Sequence, residues 1–174
     1  MKQHHVFSFL QRMGKSFMLP IAVLPVAGVF LGVGRSLTNE TTIAALHLES
    51  VLGQGTFLYS VLILLKQVGK VLFDNLPLIF AVSIALGMSK RRKEVAALAA
   101  IIAFFVMHAT INTLLCLDGS IVNGVVSNYI LDGSITSVCG MLSLEMGVFG
   151  GIVVGLGVSY LHNHFYQIQL PNVI

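Results

Sequence analysis

The stretch from Phe73 to Glu94 constrains the fold of this chain more than any other. It reads FDNLPLIFAVSIALGMSKRRKE, an apolar run that contains a proline near its start and ends at four consecutive cations, residues 90–93. In a membrane protein such a cluster sets the orientation of the chain, because loops on the cytoplasmic side collect Lys and Arg. In a soluble protein the same residues would form a buried helix with a solvated basic end. The composition of the whole chain decides between these two solvents.

Charged residues are too scarce here for a soluble domain. They make up 10% of the 174 residues, whereas 56% are hydrophobic. A soluble domain carries about 25% charged residues, because its surface must be wetted, and a short chain has proportionally more surface to wet. The sequence therefore predicts an all-α integral membrane protein. No aromatic residue interleaves the four cations, so we expect membrane lipid, and not nucleic acid, beside them.

The N-terminal part of the chain predicts an interfacial helix followed by a first membrane crossing. Residues 1–18 place apolar side chains at helical spacing with the cations largely off that stripe, which is typical of an amphipathic helix lying on the cytoplasmic surface. The first crossing follows at 18–33. Within it, Gly28 and Gly32 would let another helix approach closely. The polar segment that comes next predicts an outer loop with one short helix, capped at Thr38 or Asn39.

The apolar run at 57–88 is too long for one crossing. Its roughly 32 residues would measure about 48 Å as a helix, whereas the hydrocarbon core of a membrane is about 30 Å thick. Asp74-Asn75-Leu76-Pro77 predicts a break, with a side-chain cap followed by a first-turn proline. If both halves crossed, the cations at 90–93 would face outward. We therefore expect 57–73 to lie along the outer interface or to re-enter.

Two further crossings complete a predicted count of four, or of five if 57–73 spans as well. Residues 95–115 cross outward, and the loop at 116–144 has no Lys or Arg, as expected for the outer side. Glu145 precedes the last crossing, where a helix N-terminus stabilises an acid. The glycines of that crossing repeat every four residues and predict one helix-contact stripe: Gly147, Gly151 and Gly155.

His108 and Asn112 are the candidate solute contacts of this sequence. They lie four residues apart, and so on one face of a helix, near its outer end. Polar side chains at membrane depth can mark a solute path, but they also bond neighbouring helices. No catalytic or cofactor-binding residues are predicted. His162 and His164 do not share a helical face, so we predict no metal site there.

Two cysteines, Cys116 and Cys139, fall in the predicted outer loop. They lack CxxC spacing and nearby histidines, which argues against a metal site. A disulfide in an oxidising exterior and two free thiols both remain open.

Four blocks in order resemble the membrane subunit, enzyme IIC, of the glucose-type sugar phosphotransferase systems. They are GKSFMLPIAVLPVAGVFLGVG (14–34), FDNLPLIFAVSIALGMSK (73–90), VAALAAIIAFFVM (95–107) and MGVFGGIVVGLGVSYLHNHFYQIQLP (146–171). The stretch VMHATINTLL (106–115) and the loop after it are most similar to the maltose/glucose branch. The resemblance covers nearly the whole chain.

The resemblance implies phosphorylation-coupled uptake of a glucose- or maltose-type sugar across the inner membrane of a bacterium, with IIB and IIA phosphocarriers as partners. It also implies that residues 1–174 are the N-terminal, scaffold and dimer-forming part of a IIC domain. The cations near the N-terminus separately predict that this end lies inside. The residues that hold the sugar, and the IIB and IIA domains, would then lie outside this chain. We therefore expect a homodimeric permease component that is not catalytic alone. The alternative is a non-transporting truncated remnant or an assembly partner of an intact permease.

Overall fold

Seven helices and two small β-hairpins make up the part of the chain that the structure describes. This computed structural model describes residues 2–166, with side chains for residues 7–166. The helices are α1 (Lys2–Leu37), α2 (Glu40–Ala45), α3 (Glu49–Leu52), α4 (Phe57–Asp74), α5 (Leu76–Met88), α6 (Lys93–Leu117) and α7 (Gly147–Phe165). The strands are β1 (Ile121–Val122), β2 (Val125–Val126), β3 (Ile135–Val138) and β4 (Met141–Leu144). The predicted all-α membrane class is confirmed, with both hairpins placed in the long loop before α7.

Helix α1 is continuous where the sequence predicted two elements. Its 36 residues correspond to about 54 Å, so it is much longer than a hydrocarbon core of about 30 Å. The predicted boundary near residue 18 is therefore wrong, since the interfacial segment and the first crossing form one helix. Pro20 and Pro25 lie inside it, as membrane helices tolerate when other groups satisfy the freed carbonyls. Met13 and Phe17 pack against α5, which ties the first turns of α1 to that helix.

Two of the described helices are long and apolar enough to cross a membrane. They are Phe7–Leu37 within α1 and Lys93–Leu117, and the number becomes three if α4 and α5 together form one interrupted span. Helix α7 contains the apolar run of the last predicted crossing, but it ends in the polar triplet His162-Asn163-His164. The count of four or five crossings therefore remains a prediction.

The break between α4 and α5 falls where the sequence predicted it, at Asn75. Pro77 occupies the first turn of α5, where its missing N–H leaves no hydrogen bond unmade. The predicted side-chain cap is wrong, because Asn75 makes no capping hydrogen bond. Its amide oxygen instead accepts a hydrogen bond from the thiol of Cys139 at 3.6 Å. The carboxylate of Asp74 pairs with Lys70, one turn earlier on α4.

The described residues divide into two compact units. One is Pro20–Asp74, which contains the second half of α1 together with α2, α3 and α4. Asn39 caps α2 by accepting a hydrogen bond from the backbone N–H of Thr41 at 3.0 Å, which confirms one of the two predicted caps. The core of this unit is a small apolar cluster: Ile43, Leu52 and Leu62.

Glycines let α1 and α4 meet closely within this unit, although not the glycines that the sequence indicated. A Cβ at Gly34 would lie within 3 Å of the α4 backbone, and one at Gly69 within 3 Å of the α1 backbone. Gly28 and Gly32 are exposed, and a Cβ on either would meet no atom of the Pro20–Asp74 unit within 4 Å. The predicted close contact at Gly28 and Gly32 is therefore not made inside this unit.

The other unit, residues 2–19 with 75–166, is built around α5. This helix packs on both α6 and α7 and buries six of its 13 residues, including Ala81, Ile84 and Ala85 at 0% exposure. Strands β3 and β4 form an antiparallel hairpin in which Ile135 pairs with Leu144 and Val138 with Met141. That hairpin packs on α6, so α5, α6, α7 and the hairpin share one core.

Two glycines of the predicted stripe on α7 face α5. A Cβ at Gly151 would overlap the carbonyl oxygen of Pro77, and a Cβ at Gly155 would lie 2.7 Å from the carbonyl oxygen of Ala81. Gly147 is not part of this contact; it begins α7 with a positive φ of 52°. The stripe is thus confirmed as a contact face within the chain over its last two glycines, because only a missing side chain allows the two backbones to come this close.

Candidate functional site

His108 and Asn112 lie one turn apart on α6, and both are bonded to strand β4. The His108 ring is 2% exposed, with Nδ1 at 2.7 Å from the hydroxyl oxygen of the fully buried Ser143. Asn112 donates from Nδ2 to the carbonyl oxygen of Leu142 at 2.7 Å. Buried polar groups need such partners because an unmade hydrogen bond costs about 1–3 kcal/mol. These two side chains therefore attach the β3–β4 hairpin to α6, and their role as solute contacts stays a prediction.

The carboxylate of Glu145 closes the base of the same hairpin. One oxygen accepts a hydrogen bond from the hydroxyl of Thr136 on β3, and the other accepts from the backbone N–H of Gly147, the first residue of α7, at 3.1 Å. The predicted role of Glu145 at a helix N-terminus is confirmed. This carboxylate is thus committed to the hairpin and the helix start.

The two cysteines are free thiols. Cys116 is exposed near the end of α6, whereas Cys139 is partly buried in the turn of the β3–β4 hairpin. Burial raises the pKa of the Cys139 thiol, because the thiolate would lose water. A raised pKa leaves less of the reactive thiolate at neutral pH. Of the two readings that the sequence left open, the structure has the unbonded thiols.

The basic turn, defined here as Lys90–Lys93, is held by the last turn of α7. Asn163 accepts a hydrogen bond from the backbone N–H of Lys90 at 2.8 Å and donates one to the carbonyl oxygen of Met88 at 3.0 Å. Nε2 of His162 donates to the carbonyl oxygen of Arg91 at 2.8 Å. These contacts fix the backbone of the turn while all four basic residues remain exposed.

Sequence reasoning missed this arrangement. The partners are separated by more than 70 residues in the chain, and no spacing rule connects such positions. The polar triplet at 162–164, at the end of an apolar helix, is the signal that the sequence offers for this contact. Among the residues that the structure describes, no group of three His, Cys, Asp or Glu side chains could hold a metal ion.

A groove of about 490 Å³ lies between α6 and α7 next to the basic turn. Its walls are apolar: Val95, Ala99, Ala103, Val158, Leu161 and Phe165. At one end it is lined by Arg92, His162 and Tyr166, because α6 begins where α7 ends. A second groove, of about 540 Å³, lies on another side of α7 and is bordered by Lys90 and His164. We call the first of these the α6–α7 groove.

Long apolar helices, glycine-mediated backbone contacts and an exposed basic turn define a polytopic helical membrane protein. Residues 14–174 match the family described as "Phosphotransferase system, EIIC". The chain belongs to this family, a membrane component of the phosphotransferase system. The segment at 167–171, which carries part of the resemblance, lies outside the described residues.

One curated relative indicates the group within the family. The chain is 37% identical, over 169 residues, to the "PTS system glucose-specific EIICBA component" of Staphylococcus saprophyticus. The alignment covers 97% of this chain and 23% of that relative, so the chain spans less than a quarter of the relative's length. The similarity supports the glucose-type group, and the maltose-like branch stays a prediction.

Proposed function

We propose that this chain serves in a phosphotransferase-system permease that takes up a glucose-type sugar across the cytoplasmic membrane of a bacterium. The family match over residues 14–174 and the 37% identity to a glucose-specific relative support this assignment. Sugar is the substrate in this proposal, and IIB and IIA phosphocarriers are the partners. Phosphorylation on release would make uptake irreversible, since the charged product does not recross the membrane.

Within that permease, we propose that the chain supplies a scaffold and that the sugar contacts lie on other residues. The observation that carries this proposal is the state of its polar groups near the β3–β4 hairpin. His108 and Asn112 are engaged with β4, and Glu145 with Thr136 and the start of α7. A sugar site needs several polar side chains that converge on an open cavity.

A homodimer is the second part of the scaffold proposal. Gly28 and Gly32 lie one helical turn apart on an exposed stretch of α1, and no neighbour from their own unit lies within 4 Å of where a Cβ would stand. Small residues at this spacing permit close helix approach in a membrane. Replacing both by Leu should weaken self-association in detergent, whereas the same change at Gly14, also open on α1, should not.

A chimera tests the permease assignment. Residues 14–174 of this chain replace the matching segment of the Staphylococcus relative, and membranes are supplied with phosphoenolpyruvate and the soluble phosphocarriers. We expect the chimera to phosphorylate glucose and the present chain alone to phosphorylate neither glucose nor maltose. The wild-type relative is the positive control.

The chimera and the present chain alone test two different claims, so one can fail without the other. Phosphorylation by the present chain alone would overturn the scaffold assignment, because the sugar site would then lie within it. An inactive chimera that inserts and folds would overturn the permease assignment and favour a non-transporting remnant or assembly partner.

The proposed orientation places the N-terminus and the basic turn in the cytoplasm. A single cysteine at Lys90→Cys, in a Cys116→Ser/Cys139→Ser background, should react with a membrane-impermeant maleimide only in inverted vesicles. Labelling of intact cells would contradict this orientation.

A further inference from the structure

The α6–α7 groove and the basic turn together have the chemistry of a phospholipid site. Lys90, Arg91, Arg92 and Lys93 are all exposed. Within residues 7–166 the salt bridge joins Lys70 to Asp74, far from this turn in sequence. Four adjacent cations therefore have no acidic side chain of the described chain bonded to them. We propose that an anionic phospholipid binds here, with its phosphate on the basic turn and one acyl chain in the α6–α7 groove.

The length of the groove along α6 fits one leaflet of a membrane. Arg92, Val95, Ala99 and Ala103 line it, and their spacing of three or four residues keeps them on one helical face. From residue 92 to residue 103 the helix rises about 16 Å. Half of a hydrocarbon core of about 30 Å is about 15 Å. An acyl chain that starts at Arg92 would therefore reach the middle of the bilayer beside Ala103.

The polar end of the groove matches a lipid headgroup, and the apolar remainder matches an acyl chain. Arg92, His162 and Tyr166 line the end at the basic turn, and aliphatic or aromatic side chains line the rest. The α7 wall includes Val158, Leu161 and Phe165, at helical spacing on one face. A phosphate at the polar end would meet the guanidinium donors of Arg92.

The backbone beneath the headgroup site is fixed before any ligand arrives. Asn163 bonds to Lys90 at the start of the turn and to Met88 just before it, and His162 donates to the carbonyl oxygen of Arg91. Arg92 has a left-handed backbone with φ of 46°, which is uncommon for a residue other than glycine. A fixed turn loses less conformational freedom on binding than a flexible one.

A lipid explains the whole site, whereas a soluble acidic partner would explain only its charged end. Helix α6 is one of the helices long and apolar enough to cross a membrane, and the groove follows it for about three turns. A water-soluble acidic surface could meet the cations of the turn. It would have no reason to occupy the apolar wall around Ala99 and Ala103.

Native mass spectrometry of the detergent-solubilised full chain tests the proposal. The chain is titrated with phosphatidylglycerol and, separately, with phosphatidylcholine of the same acyl chains. We expect tighter binding of phosphatidylglycerol. Arg92→Gln should weaken phosphatidylglycerol binding about fivefold, the effect of losing one cation near an anionic headgroup, and leave phosphatidylcholine unchanged. Arg35→Gln, which removes an exposed cation at the end of α1, is the matched control.

A second pair of variants tests the groove. Ala99→Phe should fill it and weaken the binding of both lipids, whereas Ala109→Phe, on an exposed face of the same helix, should not. Val95→Phe, at the half-exposed mouth of the groove, repeats the test with less risk to folding. Millimolar inorganic phosphate should not displace phosphatidylglycerol, because it has no acyl chain.

Several results would overturn the proposal. Equal binding of the two lipids, or an Arg92→Gln variant that behaves like Arg35→Gln, would show that the basic turn does not bind the anionic headgroup. Normal lipid binding by folded Ala99→Phe and Val95→Phe chains would show that no acyl chain occupies the α6–α7 groove. It would favour a soluble acidic partner at the basic turn. Displacement by inorganic phosphate would show that the turn recognises phosphate alone.

Discussion

The contact between α5 and α7 makes a sharp prediction at Gly151. Alanine adds one methyl group there, and that methyl would overlap the carbonyl oxygen of Pro77. A backbone carbonyl cannot rotate away as a side chain can, so the two helices must separate. Gly157, on the same helix, has open space where its Cβ would stand. The pair Gly151→Ala and Gly157→Ala therefore compares the same chemical change with and without a neighbour.

The magnitude follows from two opposing effects. Replacing a helical glycine by alanine gains up to about 1 kcal/mol, because glycine loses more conformational freedom on folding. Both variants receive this gain. Overpacking a close contact costs about 1–3 kcal/mol, and only Gly151→Ala incurs it. We expect Gly151→Ala to be less stable than Gly157→Ala by about 1–3 kcal/mol. Gly155→Ala should also be destabilised, because its Cβ would lie 2.7 Å from the Ala81 carbonyl oxygen.

The assay is reversible unfolding of the purified chain in mixed detergent micelles, followed by helical circular dichroism. Free energies of unfolding are compared among wild type, Gly151→Ala and Gly157→Ala. We expect Gly157→Ala to match or exceed wild type and Gly151→Ala to fall below it. Equal stability of the two variants would refute the reasoning, since α5 and α7 would then not approach each other at Pro77.

Three other predictions concern the basic turn and the hairpin. Asn163→Ala removes one hydrogen bond to Lys90 of the turn and one to Met88 just before it, so trypsin should cleave at 90–93 faster than in wild type. An unchanged rate would show that Asn163 does not hold the turn. Asn112→Ala leaves the carbonyl of Leu142 without this partner and should lower the free energy of unfolding by about 1–3 kcal/mol, measured in the same micelles. Because burial raises the pKa of Cys139, its alkylation, followed by mass spectrometry, should reach half-maximal rate at a pH above the ordinary thiol value.

Several structural features were predictable because they depend on local sequence. The break at Asn75 follows from an apolar run too long for one crossing and from a proline at the position that the first turn of a helix favours. The cap at Asn39 follows from the same kind of local rule. The continuous helix α1 did not follow, because a change from amphipathic to fully apolar pattern predicts a change of surroundings and does not require a break in the backbone.

The roles of the candidate residues depended on partners far away in the chain. His108 meets Ser143 and Asn112 meets Leu142, pairs separated by 35 and 30 residues. A histidine and an asparagine on one helical face look the same in sequence whether they face a solute or a strand. Only the folded hairpin shows what these side chains bond to.

The sequence by itself determined the solvent and the family of this protein. Scarce charge requires a membrane, and the ordered blocks identify the phosphotransferase EIIC family. Tertiary structure decided which glycines touch, which polar side chains are engaged, and how the basic turn is held beside an apolar groove. The physical reason is that composition and periodicity depend on residues close together in the sequence. Packing and hydrogen bonding, in contrast, join residues that only folding brings together.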